Sequence, residues 1–124
     1  MQRALKVLVT LFGGACIVIA LAHVLLGSAI VPSGAALNPT TDSEDRFYAA
    51  MFLGFGSALV WCARDLHGRA RAFDALMLIF LIGGVARLLS LLQLGLPHPL
   101  FIVLGAVELV LPPLLWWWYK RAFA

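Results

Sequence analysis

Residues 75–94 read ALMLIFLIGGVARLLSLLQL, a stretch in which Arg87 is the single charge. About 20 predominantly apolar residues cross a hydrocarbon core of ~30 Å as one helix. The run closes on Gly95-Leu96-Pro97-His98-Pro99, a turn by its glycine and prolines. Working outward, residues 7–32 and 47–63 contain no Asp, Glu, Lys or Arg, and residues 100–119 contain Glu108 alone. These runs are apolar all round, with small residues scattered through them. The alternation of a membrane β-barrel is missing. The pattern predicts an all-α integral membrane protein, an antiparallel up-down four-helix bundle. Its helices are expected at about 5–32, 45–63, 72–94 and 98–119, in one domain covering 1–124.

Composition excludes the alternatives. Hydrophobic residues make up 63% of the 124 and charged residues 12%, against roughly 45–50% and about 25% in an ordinary soluble domain. Mean hydropathy is +0.99. A soluble enzyme, a disordered chain and a disulfide scaffold are all inconsistent with this balance. Arg3 and Lys6 precede the first run as they would in a signal peptide. The run is longer than the ~7–15 residues of a signal core, so a retained helix is expected. Cys16 and Cys62 are expected as small buried fillers and not as a disulfide.

Lys and Arg mark the cytoplasmic side of a membrane protein. Arg3, Lys6, Arg64, Arg69, Arg71, Lys120 and Arg121 fall on one side if all four helices span, and they are seven of the nine basic residues. Both termini are therefore expected in the cytoplasm of a multi-pass protein of the cell membrane. Trp116, Trp117, Trp118 and Tyr119 suit the inner interfacial belt, with Trp61 at the same level. This asymmetry accounts for the net charge of +3, and no nucleic-acid partner is expected. P-loop, HExxH, GxSxG and GxGxxG signatures are missing. No cofactor and no metal site is expected.

Ionisable groups inside a membrane are costly and mark function by default. The spans hold His23, Arg87 and Glu108, each on a stripe of small residues that turns it toward other helices. Counting residues from the helix ends places all three ~10–14 Å below the outer surface. Arg46 and the acids Asp42, Glu44 and Asp45 stand at the top of the second helix. Asp42 or Ser43 is expected to cap that helix, with acids in its first turn facing the helix dipole. Leaving Arg87 or Glu108 unpaired would cost several kcal/mol, so the two are expected to meet. An imidazole titrates near neutral pH, and desolvation moves carboxylates toward it. His23 and Glu108 are therefore the candidates for acid–base catalysis.

Three blocks resemble a known family. They are Asn38-Pro39-Thr40-Thr41-Asp42-Ser43-Glu44-Asp45-Arg46-Phe47-Tyr48 with Gly54 and Gly56; Gly83-Gly84-Val85-Ala86-Arg87-Leu88-Leu89-Ser90 before Gly95-Leu96-Pro97; and Glu108 with Leu111-Pro112. Together they look like the small bacterial membrane proteins called domain of unknown function 4345. The resemblance implies four membrane helices in a bacterial inner membrane and no established activity. Its signature residues here are Asp42, Glu44, Arg46, Tyr48, Arg87, Ser90 and Glu108. In outline the chain is also similar to DoxX-like and sterol-isomerase-like four-helix membrane folds.

The expected function is binding of a small lipid-like or isoprenoid molecule in an intramembrane pocket with a polar head, open to isomerase-like chemistry. His23, Asp42, Glu44, Arg46, Tyr48, Arg87, Ser90 and Glu108 are the candidate binding residues, and glycines 27, 54, 84 and 105 leave room beside them. Membrane lipids are the expected surroundings. The alternatives are a structural subunit of a membrane complex, with a homo-oligomer or another membrane protein as partner, and a proton-coupled transporter. Transport requires an oligomer and a broken helix, for which Pro112-Pro113 is the candidate. For topology, a Ser33→Cys variant should react with an impermeant thiol reagent added outside intact cells, and a Gly68→Cys variant should not. The opposite labelling pattern excludes a cytoplasmic amino terminus.

Overall fold

The computed structural model describes residues 1–32 and 36–123. They form α1 (Gln2–Leu26), a 3-10 turn (Gly27–Ile30), α2 (Pro39–Ala63), α3 (Ala70–Leu94) and α4 (Pro99–Ala122). No strand occurs among the described residues. The fold is the expected all-α one, and each of the four helices is long and apolar enough to cross a membrane. The chain divides into two compact units, one of Lys6–Asp65 and one of Met1–Leu5 with Leu66–Ala124.

In the unit of α1 and α2, the helices run antiparallel. Gly13 meets Gly56 near their middles, and Arg46 reaches the carbonyls of Val24 and Leu25 at the far end. A Cβ on Gly13 would lie 2.8 Å from the carbonyl oxygen of Gly56, and one on Gly56 would lie 2.8 Å from that of Gly13. The two backbones therefore touch, as small residues permit in membranes where lipid is as apolar as the core. The buried stripe Val9, Gly13, Cys16 and Ala20 follows helical spacing on α1. Phe12 and Phe55 meet edge-on beside the glycine crossing. A Cβ on Gly14 or Gly54 would meet nothing within 4 Å beyond its own helix, so only one glycine of the Gly13-Gly14 pair serves close contact.

Two boundaries differ from expectation. α2 begins at Pro39 and not near 45. Asn38 caps it, its Oδ1 accepting from the N–H of Thr41 at 2.8 Å, and Pro39 opens the first turn. Asp42 lies in that first turn, so neither it nor Ser43 is the cap. The apolar run hides this start because the first two turns are polar. Part of the expected outer loop, residues 33–35, lies outside the described residues. α1 ends at Leu26, because Gly27 takes a φ of +69° that only glycine adopts easily.

In the other unit, α3 and α4 run antiparallel and are joined by the short turn at Gly95, whose φ is +95°. His98 caps α4 through its Nδ1, which accepts from the N–H of Leu100. At one end of the pair, Trp116 donates to Asp74 at 2.9 Å and Tyr119 donates to the carbonyl of Leu66. Phe73 is fully buried and stacks on Tyr119. Gln2 donates to the carbonyl of Ala122 at 2.8 Å, which brings the two chain ends together. α4 continues through Pro112 and Pro113, although these residues cannot donate to the carbonyls of Glu108 and Leu109. The break that a transporter would need is not at this candidate position. Pro112 is instead a fully buried packing residue.

The glycine crossing gives a direct test. Gly13→Val and Gly56→Val should each lower stability by about 1–3 kcal/mol, the usual cost of overpacking. Gly14→Ala should be neutral or slightly stabilising, because alanine favours the helix. Unfolding midpoints in mild detergent distinguish these outcomes.

Candidate functional site

Arg87 and Glu108 meet. The Nε–H of Arg87 donates to Oε1 of Glu108 at 2.8 Å. Each helix supplies a glycine opposite the other's charged residue. On α3, a Cβ on Gly84 would lie 3.0 Å from Cβ of Glu108. On α4, a Cβ on Gly105 would lie 3.6 Å from Cδ of Arg87. Gly84 and Arg87 are three apart, as are Gly105 and Glu108, so each pair occupies one helix face. The sequence thus sets a glycine and a charge on both facing stripes, and antiparallel packing puts each charge over the partner's glycine.

The two side chains are unequally enclosed. Glu108 is 11% exposed at its side chain and Arg87 is 41% exposed. The guanidinium lies over the ring of Phe101, 5.7 Å from its centroid. Beside it a half-open cleft of about 180 Å³ is lined by Gly84, Ser90, Leu91, Pro97, Phe101 and Ile102 among others, with Arg87 itself on the wall. A guanidinium carries five N–H donors. Among the described residues, the Nε–H is the only one of the five bonded to protein, so both Nη groups are left without a protein acceptor.

The second polar cluster belongs to the unit of α1 and α2. Nδ1 of His23 lies 2.9 Å from Oδ2 of Asp45, with both side chains about a quarter exposed. Asp42 accepts from the N–H of Ser28 at 2.8 Å and from its hydroxyl at 3.2 Å, and its other oxygen accepts from Nε of Arg46 at 2.9 Å. Arg46 Nη1 donates to the carbonyls of Val24 and Leu25. These are last-turn carbonyls of α1, which the helix itself leaves without partners. A Cβ on Gly27 would strike both Asp42 Oδ1 and the Arg46 guanidinium. Asp42 and Arg46 thus close the corner between α1 and α2, joining the carbonyl end of one helix to the amino end of the other.

Each candidate from the sequence now has a place. Arg87, Ser90 and Glu108 belong to the α3–α4 pair, with Arg87 and Ser90 lining its cleft. His23, Asp42 and Arg46 are bonded within the α1–α2 unit. Glu44 and Tyr48 are exposed on α2, and Tyr48 packs edge-on against Phe47. Asp45 as the partner of His23 and Phe101 under Arg87 were not singled out from sequence. Each pairing joins residues on different helices, and only the antiparallel register reveals it.

An all-α chain of four membrane-length helices, with an arginine and a glutamate paired between two of them, is a multi-pass membrane protein. More narrowly, it belongs to the family described as domain of unknown function (DUF4345), whose model matches residues 4–119. No curated protein and no solved structure matches the chain.

The ion pair is open to a double-mutant cycle. Arg87→Ala and Glu108→Ala should each destabilise the protein, because each strands a charge, and the double variant should lose less than the sum. Coupling between contacting residues is about 0.5–3 kcal/mol. Strict additivity would mean that the side chains do not meet in the membrane.

Proposed function

We propose that this protein lies in the bacterial inner membrane with both termini in the cytoplasm and holds the polar end of a lipid-like molecule in the α3–α4 cleft. One observation carries the reading: Arg87, seven residues inside the end of α3, has one N–H bonded to protein among the described residues, lies over Phe101, and lines a largely apolar cleft. By helical rise it stands ~10 Å from that end, within the depth of the hydrocarbon. Polar hydrogens at that depth need acceptors, and a bound head group supplies them. The volume of about 180 Å³ is below the ~300–1,000 Å³ of pockets that enclose drug-sized ligands. The cleft suits a head group and its first carbons, with the tail left among lipid.

Acid–base catalysis has less support. Nδ1 of His23 is engaged with Asp45, and Glu108 with Arg87. The assembly role draws on the same pair, since a direct contact over glycines fastens α3 to α4 whatever occupies the cleft.

Protein purified in mild detergent should carry lipid-like material that mass spectrometry detects. An Ile102→Trp variant, which fills the cleft and leaves the ion pair in place, should lose it while keeping its helix content. Wild-type protein with no such material, or an Ile102→Trp variant that retains it, refutes the binding role and favours assembly.

A further inference from the structure

We infer that the α3–α4 cleft selects an uncharged hydrogen-bond acceptor, a carbonyl-bearing neutral lipid such as an ester or ketone, and discriminates against fatty acids and other anionic lipids. This deepens the proposed binding role and rests on it.

Charge balance within the site is the basis. An arginine alone in a membrane cleft would attract a carboxylate or phosphate. Arg87 is not alone, because Glu108 bonds its Nε at 2.8 Å and is the more enclosed of the two, at 11% against 41% exposed. The pair is neutral as a unit. A neutral acceptor adds no charge to it. An anion arriving at the Nη side would put two negative groups on one guanidinium and leave a net charge of −1 where solvation is poor.

The donors that remain fit a carbonyl, and the charge balance is what discriminates against an anion. The Nε–H is taken by Glu108, and the Nη N–H groups that remain can donate to the two lone pairs of a carbonyl oxygen. The remaining surroundings offer nothing to a second charge. One side of the guanidinium faces the Phe101 ring at 5.7 Å. Leu88, Leu91, Pro97, Ile102 and Leu109 make the rest of the wall mainly apolar, with Ser90 as the other polar residue on it. Among the described residues no lysine, histidine or second arginine lines the cleft to offset an incoming anion. An amine-bearing lipid is disfavoured as well, since its donors would meet the donors of Arg87.

Methyl oleate and oleate test this, because they share chain and carbonyl and differ in charge. Detergent-solubilised protein is incubated with an equimolar mixture at pH 9, where oleate is ionised, then gel-filtered, and the retained lipid is quantified by mass spectrometry. The wild type should retain the ester over the acid at least tenfold. Glu108→Gln removes the balancing charge and should reverse the preference toward oleate. Arg87→Gln/Glu108→Gln, a neutral pair of similar shape, should retain little of either, and it serves as the control if Glu108→Gln does not fold. A wild type that prefers oleate overturns the charge argument while leaving lipid binding intact. A wild type that retains neither lipid overturns the binding role itself.

Discussion

Two opposite charges within a hydrocarbon layer have to find each other, and the α3–α4 pair is arranged around that requirement. Arg87 and Glu108 are the only charges in their apolar runs. Either one exposed to lipid would cost several kcal/mol. The two helices approach closely beside this contact, where a Cβ on Gly84 would lie 3.0 Å from Cβ of Glu108, and a bulky residue there would hold them apart. Gly84 and Gly105 are therefore part of the ion pair as much as the charges are, because they remove side-chain volume where the opposing stems cross. The same packing explains why Glu108 is buried and Arg87 is not. The shorter side chain sits over Gly84, and the longer one extends past Gly105 toward the cleft.

The α1–α2 unit shows a different use of polar residues. Its contact at mid-helix is made by Gly13 and Gly56 with no charge involved. Its charges gather at the corner, where a helix end leaves carbonyls and N–H groups without partners. Arg46 serves the carbonyls of Val24 and Leu25, and Asp42 serves the N–H of Ser28. Gly27 admits both by having no side chain. The polar block that opens α2 is thus chain-closing chemistry, and this accounts for Asp42 and Arg46 without a ligand.

How far the sequence could be read follows from these two cases. Apolar runs of membrane length reveal the helices, because nothing else explains so few charges. The Arg87–Glu108 contact is also legible, since each is the sole Asp, Glu, Lys or Arg in its run and Glu108 is the one acid at the depth of Arg87. The corner is not. Asp42 and Ser43 both suit a cap, and choosing Asn38 requires knowing that the polar segment is already helical. Hydropathy marks where a helix becomes apolar, which is later than where it begins. The fate of Pro112-Pro113 is equally hidden. A proline pair removes donors from a helix, but whether the helix breaks depends on packing around it, and here Pro112 is fully buried.

The site therefore turns on a distinction the sequence leaves open, between an arginine whose charge is balanced and one whose hydrogen bonds are satisfied. Glu108 achieves the first with a single contact and does not achieve the second. A bidentate arrangement would engage two N–H groups and is the common geometry for arginine with a carboxylate. Here the contact is through Nε alone, and Arg87 lines the cleft with its guanidinium over Phe101. A neutral pair with donors left over is suited to gripping an uncharged oxygen within a layer that supplies few of its own.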